Sequence, residues 1–249
     1  LQMLKQQLRR FVDREIIPIE REAYDGPDLK PDVRARLEGM AKEMGYWHIA
    51  VPEEYGGMGL GLLARTVIWE EMGRTIAFPA RKAQIFGPEV SPILYHLNDE
   101  QKAEYLYPVI SGEKDCCFGL TEPDAGSDPA GLKTTAVRDG DHYIINGYKR
   151  FITNAQHADF VQLMASTDRS KGARGITAFL VDMKTPGVSI VRTQPTMMDD
   201  EPCELAFDNV RVPVSKRIAN EGDGFKLAQD WINTGRVRHG ARALGVIQR

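Results

Sequence analysis

Residues 133–153 read Lys-Thr-Thr-Ala-Val-Arg-Asp-Gly-Asp-His-Tyr-Ile-Ile-Asn-Gly-Tyr-Lys-Arg-Phe-Ile-Thr. Asp139-Gly140 and Asn146-Gly147 are dipeptides that tolerate the positive φ of a tight hairpin turn, and β-rich runs flank each of them. The spacing predicts a meander of three strands, residues 133–138, 142–146 and 148–153. Further along, residues 160–166, 176–182, 188–192 and 204–207 have the same character, with Pro186-Gly187 as a turn. No helical period separates these runs. They predict an antiparallel β-sandwich or barrel and exclude a parallel sheet with crossover helices.

Helical patterns lie on either side. Leu4, Leu8, Phe11, Val12, Ile16 and Ile19 recur at spacings of three and four, interrupted by Pro18. A second helix opens at Pro31, carries Val33, Leu37, Met40, Ala41 and Met44, and ends at Gly45. Residues 62–72 repeat the pattern up to Gly73, and a helical stretch broken by Pro88 and Pro92 is expected over 82–97. Asn98 and Gln101 form a capping-box pair ahead of Ala103, Leu106, Val109 and Ile110. From Gly224 the helical period returns through Phe225, Leu227, Ala228, Trp231, Ile232, Val237, Leu244 and Ile247. The expected fold class is α+β and multidomain. An N-terminal all-helical domain covers 1–114, a middle β domain 115–220, and residues 221–249 form the first helix of an incomplete C-terminal helical bundle.

The 249 residues have 32 Lys and Arg against 35 Asp and Glu, and 42% hydrophobic content, a globular balance that excludes disorder. A pI near 6.0 gives no overall attraction to nucleic acid or anionic lipid. The leading residues lack the order of a signal peptide, and no apolar run is long enough to span a membrane. Cys116, Cys117 and Cys203 make a poor disulfide framework and suit a reducing compartment. Scattered histidines and the lack of Cys-x-x-Cys leave no zinc pattern, and no metal site is expected. Gly59-Leu60-Gly61-Leu62-Leu63-Ala64 matches a loose dinucleotide fingerprint, but a turn precedes it rather than a strand, so it reads as a loop leading into a helix.

Phe118-Gly119-Leu120-Thr121-Glu122-Pro123-Asp124-Ala125-Gly126-Ser127-Asp128 joins the helical half to the β half, and Phe151-Ile152-Thr153-Asn154 ends the strand after the Asn-Gly pair. Two threonine hydroxyls, two aromatic faces and loop amides suit a flat heteroaromatic ligand. The same residues also serve as ordinary core and strand positions, and composition leaves both readings open.

These segments resemble the acyl-CoA dehydrogenase family over essentially all 249 residues. Leu120 to Asp128 is similar to its flavin-loop signature, and Pro52-Glu53-Glu54-Tyr55-Gly56-Gly57-Met58-Gly59 to its N-terminal-domain turn. Tyr143 to Lys149 with Phe151 to Asn154 resembles its second flavin segment, and Phe207-Asp208-Asn209-Val210-Arg211-Val212-Pro213 the exit from its middle domain. The resemblance implies that Phe118, Leu120, Thr121, Phe151, Ile152 and Thr153 bind FAD. Phe151 stands where most relatives have Trp, and Thr153 bonds near N5, the hydride acceptor. It further implies that Gly126, Ser127 and Arg236 contact the CoA substrate, and that residues 84–97 help line the acyl pocket.

Family chemistry also requires a glutamate that takes the α-proton while the β-hydride passes to the flavin. In a minority of members it precedes an arginine that corresponds to Arg236, but here Gly235 stands there. No catalytic residue is therefore assigned, and the glutamate is expected beyond Arg249. The tail from 225 to 249, with Lys226, Arg236, Arg238, Arg242 and Arg249 against Asp230, reads either as a solvated helix face or as CoA contacts. Thr196 to Pro202 departs from the family's turn and reads as a solvated acidic loop or a changed contact. Implied partners are an acyl-CoA, an electron-transferring flavoprotein and further copies of the chain in a dimer or tetramer. The implied compartment is the bacterial cytoplasm or the mitochondrial matrix. Two alternatives stand beside dehydrogenation: an acyl-CoA oxidase or flavin monooxygenase of the same fold, and a truncated, non-catalytic flavin- or CoA-binding module.

Overall fold

The computed structural model describes residues 1–25, 28–77, 85–197 and 200–249. The chain forms two compact units, one of Leu1–Val90 with Ile232–Arg249 and one of Ser91–Trp231.

In the first unit the apolar stripe makes helix α1, Gln2–Phe11, which buries Leu8 and Phe11. Pro18 cannot continue the helical hydrogen bonds, so the chain loosens into a π-turn over Val12–Ile16 and a 3-10 turn over Ile17–Ile19. Helix α2, Pro31–Glu43, starts on the proline whose missing N–H needs no partner there, and Gly45 leaves it at φ +79°. Helix α3 covers Leu62–Met72, as its period predicts. The glycines at 59 and 61 lie in the loop before it, and the element before that loop is the short 3-10 turn Glu53–Tyr55, which supports the loop reading of the fingerprint. Glu71 of α3 is fully buried and takes Arg9 Nε at 3.0 Å, Arg9 Nη2 at 2.9 Å and Arg74 Nη1 at 3.2 Å.

The long helix α4, Gly224–Gln248, returns to this unit over its later turns. A Cβ on Gly245 would lie 2.1 Å from the Glu70 carbonyl oxygen, and one on Gly73 would lie 2.5 Å from that of Arg242. Glycine at both places lets the α3 and α4 backbones touch. Arg249 closes the unit with a two-pronged pair to Glu20 at 2.6 Å for each contact, and Thr75 Oγ1 donates to the same carboxylate at 2.8 Å. Those donors hold the Glu20 carboxyl below its ordinary range, with Arg249 contributing most.

The helix expected over 82–97 does not form across its described residues. Residues 82–84 lie outside the described residues, residues 85–91 are not helical, and only Pro92–His96 makes a 3-10 turn. Pro88 and Pro92 lack amide protons and bias the residues before them away from the helical region. In the second unit the Asn98–Gln101 capping box forms in both directions, at 2.9 and 3.2 Å.

Among the described residues of this unit, eight strands form one mixed sheet. They are β1 Cys116–Gly119, β2 Thr135–Asp139, β3 His142–Ile152, β4 Phe160–Ser166, β5 Ile176–Asp182, β6 Val188–Thr193, β7 Cys203–Pro213 and β8 Arg217–Ile218. The order is β8-β5-β4-β2-β3-β7-β6, with β1 beside β4. The antiparallel expectation holds for most pairs, but β1 and β2 both run parallel to β4. They meet its two ends, Cys116–Gly119 along Phe160–Leu163 and Thr135 at Ser166, so the 120–134 loop bridges two strands that share one neighbour.

The hairpin at Asp139-Gly140 forms. The one predicted at Asn146-Gly147 does not, because β3 runs straight through it. The residue that accepts positive φ there is Asn209 of the facing strand, at +50°, and its amide donates to Asn146 Oδ1 at 2.8 Å. Gly147 is needed for closeness instead: a Cβ would lie 2.3 Å from Thr134 Oγ1 and 2.6 Å from its Cα.

Replacing Gly245 with Ala forces α3 and α4 apart and lowers stability by about 1–3 kcal/mol. Gly240→Ala, where a Cβ meets nothing within 4 Å, raises stability by about 1 kcal/mol through helix propensity. Thermal melting of the two variants beside the parent checks both signs.

Candidate functional site

The site is built around a lysine that strand alternation points inward. On β3, Tyr143, Ile145 and Lys149 are buried with the sheet core, and the Lys149 side chain is fully buried. Gly119 of β1 lies close against the facing strand, since a Cβ there would lie 3.0 Å from Val161 Cγ2 and 3.3 Å from Leu163 Cδ1, and in ordinary contact, at 3.7 Å, with Lys149 Cγ. Lys149 Nζ donates to Glu122 Oε1 at 2.7 Å and to the Leu120 carbonyl at 3.1 Å. The Glu122 carboxylate also accepts from the amides of Lys133 at 2.5 Å and Thr134 at 3.0 Å. Burial alone would push the Glu122 carboxyl up, but the Lys149 charge and these donors hold it below the ordinary glutamate range. Burial pushes Lys149 the other way, down from its usual value.

One carboxylate thus ties the start of the loop, its end and the strand beneath. Between the anchors the chain turns tightly, with Glu122 N to Ala125 O at 3.0 Å and Ala125 N to Glu122 O at 3.3 Å. Leu120 is buried and Thr121 half-buried, whereas Gly126 and Ser127 are exposed. A Cβ at Gly126 would meet nothing within 4 Å. Asp128 caps the next turn by accepting from Ala130 N at 3.0 Å. Phe118 is half-buried, with its ring centroid 6.2 Å from that of Trp231.

The loop lies against the end of β3. Arg150 N donates to Thr121 O at 2.8 Å, and Asn154 Nδ2 donates to Cys116 O at 3.3 Å. The ladder with β7 shifts between Lys149 and Ile152, and within this bulge Phe151 takes φ +59° and is 52% exposed, while Ile152 is buried and Thr153 half-buried. A bulky aromatic in left-handed backbone is a strained arrangement, and it turns the ring out of the sheet. The Arg150 guanidinium lies 4.8 Å over that ring and pairs with Glu204 at 3.1 Å. The structure therefore brings together Phe118, Leu120, Thr121, Phe151, Ile152 and Thr153 in one unit, with Gly126 and Ser127 on the same loop. Arg236 belongs to the other unit, is exposed, and donates to Asn233 Oδ1 at 3.1 Å.

The Lys149–Glu122 pair is the part that sequence reading missed. Its signal was a lysine in phase with Tyr143 and Ile145 on the inward face of the strand. Of the acidic turn 196–202, Met198 and Asp199 lie outside the described residues, and Thr196 Oγ1 donates to Asp200 at 2.6 Å. Among the described residues no group of three or more His, Cys, Asp or Glu side chains is placed to hold a metal ion. None of the described helices is long and apolar enough to cross a membrane.

The family model for the acyl-CoA dehydrogenase N-terminal domain matches residues 1–113, and that for the middle domain matches 117–210. The mitochondrial short-chain specific acyl-CoA dehydrogenase of Mus musculus is 35% identical over 99% of this chain and 60% of its own length. A solved glutaryl-coenzyme A dehydrogenase in complex with glutaryl-CoA aligns with TM-score 0.79 at 32% identity, over 99% of this chain and 63% of that one. A structure described for the electron transferring flavoprotein of Acidaminococcus fermentans and flavin-based electron bifurcation aligns with TM-score 0.76 at 34% identity, over 98% and 64%. The chain thus spans about three-fifths of the length of these relatives, and both of its units carry the family's pattern. It belongs to the acyl-CoA dehydrogenase family.

Proposed function

We propose that this protein binds FAD and serves the α,β-dehydrogenation of an acyl-CoA thioester. The observation that carries the reading is the exposed Phe151 ring at a strained bulge, held beside a loop whose two ends are fixed on Glu122. Strain of this kind, on the order of 1–3 kcal/mol, persists where a ligand face requires it. When bound, the flavin supplies the two-electron acceptor. Phe118, Leu120 and Thr121 line one edge of the ring site, Phe151 covers a face, and Ile152 and Thr153 close the side, with the Thr153 hydroxyl donating at the ring edge. Phe151 keeps the aromatic face without the indole N–H that most relatives have.

Gly126 and Ser127 take the thioester end of the CoA ligand, because an open Cβ position and an exposed hydroxyl admit a carbonyl group. Arg236 contributes a cation to the same ligand. Gly235 has no ionisable group, so the proton acceptor is assigned to sequence that the longer relatives have and residues 1–249 do not include. The domain limits 1–114, 115–220 and 221–249, the homo-oligomer, the electron-transferring flavoprotein as acceptor and a bacterial cytoplasmic or mitochondrial matrix setting belong to the same proposal.

Titration of the protein with FAD, followed by absorbance, should give a saturable shift of the flavin band, and anaerobic addition of butyryl-CoA should perturb that band. Failure to retain flavin overturns the cofactor assignment, and rapid oxygen consumption after reduction moves the assignment to an oxidase. Phe151→Gly relieves the backbone strain. It raises thermal stability by about 1 kcal/mol while weakening FAD, a pair of opposite changes that melting and flavin titration read separately. Glu122→Gln leaves a buried ammonium without its counter-charge and costs about 3–5 kcal/mol at neutral pH. Because the Glu122 carboxyl titrates below its unfolded value, its contribution is complete above the ordinary glutamate range and is lost as pH falls through the depressed value. The difference between parent and Glu122→Gln in urea titrations therefore shrinks on acidification.

A further inference from the structure

The buried pair beneath the loop does more than anchor it. Lys149 Nζ directs one hydrogen bond to the Leu120 carbonyl, at 3.1 Å, besides the one to Glu122. The peptide that joins Leu120 to Thr121 is planar and trans, so its N–H points the opposite way from its C=O. With that carbonyl turned in to a fully buried ammonium, the Thr121 amide is turned away from it. The next carbonyl, that of Thr121, is taken by Arg150 N at 2.8 Å, so the chain is fixed on both sides of this amide. Thr121 is half-buried, and among the described residues neither its amide nor its hydroxyl makes a hydrogen bond.

A buried ion pair is by itself a weak source of stability, since apolar residues of similar volume serve as well or better. Its effect on a peptide bonded to it is different. The ammonium draws electron density toward the Leu120 oxygen, and hydrogen-bonded groups polarise one another along a chain, so the Thr121 N–H becomes a stronger donor. The Glu122 charge is taken up on its other bonds by the amides of Lys133 and Thr134.

We propose that Lys149 is a positioning residue that acts through the Leu120–Thr121 peptide, aiming and strengthening the Thr121 N–H toward the edge of the flavin and so raising the reduction potential of the bound cofactor. This rests on the FAD reading given above. Two-electron reduction leaves negative charge on the ring, and a stronger donor at its edge favours the reduced form over the oxidised one. A pair that served only to anchor the loop would hold both forms equally and leave the potential where it was.

The sequence holds a single Leu-Thr step, Leu120-Thr121. Protein labelled at the carbonyl carbon of leucine and the nitrogen of threonine therefore reports this one peptide as a single NMR resonance. In the FAD-loaded protein its amide proton should move downfield when dithionite reduces the flavin. The flavin potential, measured anaerobically against a reference dye, should fall in Lys149→Met/Glu122→Gln by about 30 mV, the two-electron equivalent of tenfold weaker binding of reduced relative to oxidised flavin. Lys149→Arg, which keeps the charge, should hold the parent potential. If melting or FAD titration finds the methionine variant unfolded or empty, Lys149→Gln/Glu122→Gln takes its place and should show the same fall. An amide proton that stays put on reduction overturns the proposal. So does an unchanged potential in the loaded double variant, even where its affinity for FAD has dropped, and both results leave the FAD reading standing. A parent protein that retains no FAD overturns that reading and this proposal together.

Discussion

An ammonium group inside a β-sheet leaves the surrounding chain few ways to run. Lys149 needs a carboxylate and a carbonyl within reach of a fully buried Nζ, and Glu122 and Leu120 meet that need from the loop that leaves β1. The remaining lone pairs of Glu122 are taken by the amides of Lys133 and Thr134, eleven and twelve residues further on. The loop is pinned at both ends by one side chain while its middle is left to solvent. The same strand carries Phe151, and Arg150 N fixes its end to Thr121. Residues that face a ligand are thus held by groups that do not, an arrangement that limits how far the site can relax.

The helical unit uses buried carboxylates in the same manner. Glu71 joins α1 to α3 through Arg9 and Arg74, and Glu20 joins the end of α4 to the turn after α1 through Arg249. Both carboxylates are saturated with donors, which is the condition under which a buried ion pair is tolerable. Arg238 differs from these. Its Nη1 pairs with Glu89, and its buried Nε has no hydrogen-bond partner among the described residues.

Much of this fold was legible in the residues. The α3 span, strands β4 and β5, the Asn98–Gln101 capping box and the Asp139-Gly140 hairpin depend on local chemistry and appear where that chemistry puts them. Long-range geometry was less visible. Asn146-Gly147 has the composition of a turn, yet its glycine answers to Thr134 and its asparagine to Asn209, contacts that exist only once the sheet has formed. Parallel pairing of β1 and β2 with β4 likewise depends on where a loop returns, not on either strand's pattern. At the site, the sequence order brought out the loop and the strand end, and the structure sets them side by side. The left-handed backbone of Phe151 and the ion pair beneath it had no local signature beyond a lysine in an apolar phase.

The route of the chain has a consequence for how the protein is made. The helical unit is discontinuous: its first ninety residues are separated from its closing helix by the whole of Ser91–Trp231. At a synthesis rate of about 5–20 residues per second, those 141 residues delay the closing helix by roughly 7–28 s. During that interval Glu20 has no Arg249, and the Gly73 face of α3 has no Gly245 against it. The β unit, by contrast, is unbroken in sequence and has all its described strands once Ile218 has emerged. Vectorial synthesis therefore favours a nascent chain in which the strand-rich part sets first and the helices of residues 1–90 wait, partly assembled, for α4 to arrive.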